Sequence, residues 1–333
     1  MGSSAPKILL IRFSSIGDIV LTTPVIRALH QQLGAEVHLL TKKSFAGVLS
    51  ENPYLTKIWA IQKHVTEVRA ELKQEGYTSI IDLHRNLRSW QVRLALWRTP
   101  AYAFNKLNWQ KWLLTRWKIN RMPDVHIVDR YLDAVAALGI KNDGLGLDYH
   151  IPSEDQVDLN QWNISEPFVA VVIGAAHATK RLSTPKLIKL CQQSSQTVAL
   201  LGGPGDKDAG TEIAQQAGQH VINLCGALKL QQSADVVRQA AVVITHDTGL
   251  MHIAAALNKP IISVWGNTVP EFGMYPYLAS QNTPSIIAQV DDLPCRPCSK
   301  IGSQHCPKGH FKCMQEQDLD RLSRKVELIL QRH

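Results

Sequence analysis

The sequence predicts an α/β protein built from two doubly wound, Rossmann-like parallel sheets. Three observations carry this. Short apolar runs alternate with longer amphipathic stretches, the pattern of parallel strands joined by right-handed helical crossovers. The rhythm stops at a polar stretch, Ser153–Pro167, and then restarts. The chain has 333 residues, 45% hydrophobic and 19% charged, enough apolar side chain for two cores. The expected division is 1–155 and 165–333, with the polar stretch as the crossing. Met1–Ser4 carries no structural signal.

In the first half, Lys7–Phe13 reads as a buried strand. Ser14–Asp18 follows as a loop. A helix then runs to about Leu33, with Pro24 tolerable only near its start. Glu36–Thr41, Lys57–Ile61 and Ser79–Leu83 are further strands, with helical stretches between them. In the second half, Phe168–Ile173, Thr197–Leu201, Val242–Thr245 and Pro260–Val264 read as strands. Thr184–Ser194, Lys207–Ala217 and Gly249–Leu257 read as helices. Asp318–Gln331 is a charged amphipathic helix able to pack on either half. No apolar run approaches 18 residues, so no spanning helix is expected. The run Ile8–Ile11 stops at Arg12 and is too short for a signal-peptide core, so a cytoplasmic address is expected.

The formal charge of +8 lies wholly in residues 1–150; residues 151–333 balance to zero. Between Leu83 and Pro123 there is no acid, but nine Lys and Arg and five of the eight Trp: Trp90, Trp97, Trp109, Trp112 and Trp117. A basic, Trp-rich face suits an anionic partner: a phosphorylated glycolipid, a membrane surface or nucleic acid. Equally, the tryptophans could fill a core beneath a solvated basic face.

Ligands of such sheets sit at the carboxyl ends of the strands, which singles out five loops. In Arg12–Asp18, Gly17 permits close approach of a ligand. Asp18 is either a loop carboxylate or a helix cap. Gly174–Arg181 places small residues beside Lys180 and Arg181, a phosphate site or an exposed turn. Gly202–Asp208 is glycine-rich but lacks the G-x-G-x-x-G register, which excludes a dinucleotide fingerprint. Its Asp206-Lys207-Asp208 is a weak mimic of a metal-binding Asp-x-Asp. At His246–His252 a helix begins at about Gly249, so free N–H groups and the helix dipole favour an anion. There Thr248 could donate a hydrogen bond, and His252 is a ligand or a core histidine. After the last strand, Cys295-x2-Cys298-x7-Cys306-x6-Cys313, with His305 and His310, holds four of the six cysteines. Its second spacing departs from a zinc ribbon, leaving structural zinc and free thiols open.

Three of these stretches resemble glycosyltransferase family 9, the ADP-heptose:lipopolysaccharide heptosyltransferases. They are Ile11–Pro24, Thr179–Arg181 and His246–Leu257. Pro260–Gly266 and the tail Gly309–Met314 also look familial, and the matches span roughly residues 7–314. The resemblance implies a GT-B fold with the active site in the cleft between two Rossmann-like domains, the first binding acceptor and the second the nucleotide sugar. It implies inverting, metal-independent transfer of a heptose from ADP-heptose to a lipopolysaccharide inner-core acceptor. Asp18 takes the place of the catalytic carboxylate. Gly17, Thr179, Lys180, Asp206, Asp247, Thr248, Gly249, Leu250 and His252 would face the donor, Lys180 at its phosphates. Leu182 departs from the family's common Trp. By position after the Ser79–Leu83 strand, Arg85 and Arg88 are assigned to acceptor phosphates. No cofactor is required, with zinc at Cys295, Cys298, Cys306 and Cys313 an open alternative. Expected partners are the donor, a phosphorylated glycolipid and the inner-membrane surface, contacted peripherally from the cytoplasm; nucleic acid is not expected. Two other functions remain: a GT-B transferase using another nucleotide sugar, and a zinc-containing nucleic-acid-binding protein. The charge balance of residues 151–333 argues against the second.

Overall fold

A computed structural model describes residues 5–331. Met1–Ser4 and the last two residues of the expected second domain lie outside the described residues. The chain forms two compact units, Met1–Lys106 with Val125–His150, and Leu107–Asp124 with Ile151–His333.

The first unit opens with strand β1 (Lys7–Ile11), then helices α1 (Ile16–Val20) and α2 (Thr23–Leu33). A single helix was expected here. Pro24 falls in the first turn of α2; its ring would clash with the carbonyl four residues back and it has no N–H to give. The chain therefore breaks at Leu21–Thr22, and Gly34, at φ 61°, closes α2 in the left-handed region. Next come β2 (Glu36–Lys42), β3 (Lys57–Ile61), α3 (Arg69–Gln74), β4 (Ser79–Asp82), α4 (Leu87–Ala95) and the short β5 (Ala101–Ala103). Asn86 and Ser89 cap α4 reciprocally: each side chain accepts the other's N–H at 2.9 Å. All pairings are parallel, in the order β3-β2-β1-β4-β5. Leu9, Ile11, Phe13, Leu40, Ile61, Ile80 and Val92 form the core over one face, each burial contributing about 1.5–3 kcal/mol.

The chain then leaves this unit. Helix α5 (Asn108–Trp117) packs Leu114 against Val269 and Phe272. The Lys118 ammonium donates to the carbonyls of Cys295 (3.1 Å) and Pro297 (2.6 Å). These contacts group residues 107–124 with the second unit rather than with their sequence neighbours. Helix α6 (Ile127–Asp133) returns to the first unit. There buried Arg27 clamps Asp143 (2.7 Å), Asp148 and the Gly146 carbonyl, fixing α2 against residues 143–148.

The second unit runs β6 (Phe168–Val172), α7 (Thr184–Gln192), β7 (Thr197–Leu201), α8 (Lys207–Ala217), β8 (Val221–Asn223), α9 (Leu230–Gln239), β9 (Val242–His246), α10 (Gly249–Ala256), β10 (Ile261–Trp265), β11 (Ser285–Gln289), α11 (Lys312–Gln315) and α12 (Leu319–Leu330). Its order, β11-β10-β9-β6-β7-β8, is the Rossmann order read from the far edge. Leu322, Val326 and Ile329 seat α12 on this unit's core.

The five acid-free-stretch tryptophans are not core residues. Trp90, Trp97, Trp109, Trp112 and Trp117 are 54%, 71%, 64%, 40% and 61% exposed. Trp90 extends a stripe with exposed Leu87 and Leu94 along α4, the spacing of one helical face, and exposed Trp97 lies in the turn just past the helix end. The opposite face buries Ser89 and Val92.

Candidate active site

In an open parallel sheet, the crevice for a ligand lies where strand order reverses. In the first unit that point falls between β1 and β4, so the loops after Ile11 and Asp82 meet there. Arg12 joins them. It is buried, and its guanidinium donates to Ser14 O (2.9 Å), Leu83 O and the Tyr131 hydroxyl (2.9 Å). It also pairs with Asp18 Oδ1 at 2.6 Å. Burial opposes the Arg12 cation, but Asp18, Tyr131 and Asp82 together outweigh it, and the guanidinium is held above its usual range. The second Asp18 oxygen accepts from Ser15 N (3.0 Å) and Ser15 Oγ (2.8 Å). Asp18 is therefore both a cap of α1 and a carboxylate fixed by a buried cation. Gly17 is buried in the first turn beside it.

The loop after β4 carries Arg85 and Arg88. Asp82 is buried, and its Oδ1 accepts from His84 N (3.1 Å) and Arg85 N (2.6 Å), shaping the turn. Arg85 sits at φ 52° and donates to Phe104 O at 3.0 Å. The Arg88 guanidinium lies over the Phe13 ring, 5.3 Å from its centroid. The His84 ring meets the same Phe13 edge-on at 5.3 Å. Burial, reinforced by Arg12 and Lys106, pushes the His84 imidazole down to about 3. Burial, then Arg12, also lowers the Lys106 ammonium.

In the second unit the reversal falls between β6 and β9, where the loops ending at Arg181 and opening at Asp247 meet. Lys180 Nζ pairs with Asp247 Oδ2 at 2.6 Å, and Thr268 Oγ1 donates to the same oxygen at 2.9 Å. Helix α10 starts here with no side chain capping its first amides. Thr248 lies beside Thr245, oxygen to oxygen 3.3 Å. Gly249 and Leu250 are half-buried and His252 is buried.

Other expected donor residues have internal partners. Thr179 is buried and its hydroxyl exchanges hydrogen bonds with Ser303 O and N, both at 2.9 Å. Asp206 pairs with Arg181 Nη1 (2.9 Å) and accepts from Gly203 N (2.9 Å). A Cβ on Gly174 would lie 2.3 Å from that carboxylate, so only glycine lets the loop approach it. Leu182, at the departure from the family pattern, is buried and donates its N–H to His246 Nε2 at 3.0 Å. Burial, then Arg181, pushes His246 down to about 4.

All six cysteines are free. Among the described residues no three His, Cys, Asp or Glu side chains converge to hold a metal. Cys298 Sγ donates to Cys295 O at 3.1 Å, and Cys295 Sγ lies 3.9 Å from His310 Nε2. Burial pushes Cys298 and Cys313 up to about 11. Cys306 is held below its usual range: burial opposes this, but the N–H groups of Lys308–Phe311 facing its sulfur prevail.

Arg12, His84, Lys106 and Thr268 were not singled out from sequence. Arg12 had a signal, a cation closing an apolar run. Nothing local marks the others.

Residues 65–306 match the family described as glycosyltransferase family 9 (heptosyltransferase). The chain belongs to glycosyltransferase family 9. It is 32% identical over 124 residues to lipooligosaccharide heptosyltransferase 2 of Haemophilus influenzae, a match covering 36% of this chain and 35% of the relative. It is 23% identical over 323 residues to lipopolysaccharide heptosyltransferase 1 of Pseudomonas aeruginosa, covering 88% of this chain and 86% of that one. The solved Escherichia coli ADP-heptose lipopolysaccharide heptosyltransferase II superposes with a TM-score of 0.74 at 20% identity, over 98% and 99% of the two chains. The family 9 chain is thus a glycosyltransferase enzyme with the GT-B pair of Rossmann-like sheets. No described helix is long and apolar enough to cross a membrane.

Proposed function

We propose that this family 9 enzyme moves a heptose from ADP-heptose to a phosphorylated lipopolysaccharide inner-core acceptor, with inversion and without a metal. One observation carries this: each sheet reverses its order beside the residues that such a transfer needs. In the first unit that residue is Asp18. Transfer requires the acceptor hydroxyl to lose its proton as it attacks the anomeric carbon, and a fixed carboxylate accepts it. In the second unit they are Lys180 and the α10 N-terminus. Charge grows on the departing diphosphate, and both are cationic in effect. Lys180 rests on Asp247 and would exchange that carboxylate for the diphosphate. Gly249 and Leu250 supply main-chain donors, and Thr248 a hydroxyl. Thr179 and Asp206 act behind the site, holding loop 174–181. His252 is part of the packing beneath it.

Arg85 and Arg88 would take acceptor phosphates, since a guanidinium fork matches their oxygens. The exposed tryptophans, set among cations without a single acid, suit the headgroup layer of an anionic leaflet. The enzyme would work peripherally at the cytoplasmic face of the inner membrane.

The deciding experiment is donor turnover against a panel of ADP- and UDP-sugars, reading released nucleotide diphosphate. ADP-heptose should be turned over and UDP-sugars should not; the reverse preference would make this a transferase of another nucleotide sugar. For the membrane contact, Trp90→Ser with Trp97→Ser should weaken co-flotation with phosphatidylglycerol vesicles. Unchanged flotation would remove α4 from the lipid surface.

A further inference from the structure

We propose that Thr268 is a positioning residue for sugar transfer: its hydroxyl sets how readily Lys180 leaves Asp247 for the diphosphate of the donor. The inference rests on Lys180 meeting that diphosphate, and adds a residue that acts through it.

Register places Thr268 there. β9 and β10 are parallel neighbours, with Val264 opposite His246. The chain continues into Asp247 after β9 and into Gly266-Asn267-Thr268 after β10, so the two loops leave the sheet side by side. Gly266 lets the second loop close on the loop that carries Lys180. A Cβ there would lie 2.4 Å from Thr179 O, and Asn267 N donates to the same carbonyl at 3.2 Å. Lys180 and Thr268 thus reach Asp247 from two loops that are bonded to each other.

The main chain of Thr268 is pinned. Its carbonyl accepts from Arg296 Nη2 at 3.0 Å. Arg296 is itself fixed where β11 ends, through Val290 O at 2.8 Å and Gln289 Oε1 at 3.2 Å. One residue earlier, Asn267 O accepts from Cys298 N at 3.1 Å, and Asn267 Nδ2 donates to Ser299 Oγ at 2.9 Å. Thr268 is buried, and its branched side chain has few rotamers. Its hydroxyl is therefore held on Asp247.

One carboxylate oxygen takes both donors. Among the described residues the Asp247 side chain accepts from Lys180 Nζ at 2.6 Å and Thr268 Oγ1 at 2.9 Å, both at Oδ2. Both partners of the ion pair are largely covered from solvent. Stripping the last donor from a covered carboxylate exposes its full desolvation penalty. Lys180 can turn to an incoming diphosphate at low cost only if Asp247 keeps a partner. Thr268 is that partner, a neutral donor present whether Lys180 faces Asp247 or the diphosphate. Without the hydroxyl, Lys180 becomes the sole side-chain donor to Asp247. Drawing it away would then leave a bare carboxylate beside a second anion. The hydroxyl is spent on Asp247, so its effect on the donor runs through Lys180 and not through direct contact.

The test is calorimetric binding of ADP to the full-length protein in a double-mutant cycle. Thr268→Val removes the hydroxyl and keeps the volume. Thr268→Ala removes the hydroxyl and the methyl, and Thr268→Ser removes the methyl alone. Val and Ala should each weaken ADP binding about tenfold, the lower range for a hydrogen bond to a charged group, whereas Ser should stay within about twofold. In a Lys180→Ala background, adding Thr268→Val should change binding by less than about twofold, because no ammonium remains to be released. A Thr268 that only supports the loop would weaken binding equally with and without Lys180. That result, parent-like binding by both Val and Ala, or a Ser variant as weak as they are, overturns the proposal. If Lys180→Ala itself binds ADP like the parent, Lys180 is not at the diphosphate and both readings fall. If Lys180→Ala weakens binding and only the coupling is missing, the Lys180 reading stands and this one alone is lost.

Discussion

Replacing Asp18 by Asn separates a catalytic carboxylate from a structural one. The carboxylate makes charged contacts on both oxygens: Arg12 Nη2 at 2.6 Å on one, Ser15 N and Oγ at 3.0 and 2.8 Å on the other. Asn has one acceptor oxygen and an NH2 group. Whichever way it turns, one set of donors faces another donor. The lost charge-assisted bond should cost about 1.5–3 kcal/mol of stability. That reads as a melting temperature several degrees lower, since about 1 kcal/mol corresponds to ~2–4 °C in a chain of this kind. Loss of a general base should cut kcat about 10²–10⁴-fold, or roughly 2.7–5.5 kcal/mol of transition-state stabilisation. Turnover should be measured well below the variant's melting temperature, with saturating donor and acceptor, so that both effects are read independently. ADP affinity should stay within about twofold, because the groups proposed for the diphosphate, Lys180 and the α10 N-terminus, belong to the second unit. A variant that melts lower yet turns over normally would leave Asp18 as a helix cap and ion-pair partner only.

Three further outcomes follow from the same geometry. Lys180→Ala should weaken ADP binding by about 1.5–3 kcal/mol in calorimetry; an unchanged dissociation constant removes Lys180 from the diphosphate. Turnover should survive EDTA, and if EDTA abolishes it while Mg²⁺ or Mn²⁺ restores it, a metal serves the leaving group instead. Slow loss with unfolding would point to the Cys295–Cys313 segment. His246 is buried and pushed down to about 4 from an ordinary value of 6.5. The unfolded chain then binds the extra proton between those values. Its stabilisation is complete above about pH 6.5 and is lost as pH falls towards 4, by roughly 3 kcal/mol at about 1.4 per unit. His246→Gln should flatten that part of the stability profile in urea titrations; an identical slope would show that His246 carries none of it.

The sequence by itself determined the alternation of strands and helices, and with it the two parallel sheets. Apolar runs and capping residues are local signals, and local signals survive in one dimension. The loops after β1, β6 and β9 were legible for the same reason, since Gly17, Lys180 and Asp247–Gly249 follow strands at short range. Short or edge strands were not: β5 and β8 have three residues each and β11 is half-exposed, too little for a period to show. Tertiary structure alone decided where long-range partners meet. Arg12 holds Asp18 in place through Leu83 and Tyr131, 71 and 119 residues away. Lys106 reaches the Asp18 crevice only because β5 pairs with β4. Residues 107–124 join the second unit because Leu114 finds Val269 and Phe272, and the tryptophans beside it face outwards. No local pattern encodes these choices, because burial is set by which distant surface arrives to cover a side chain.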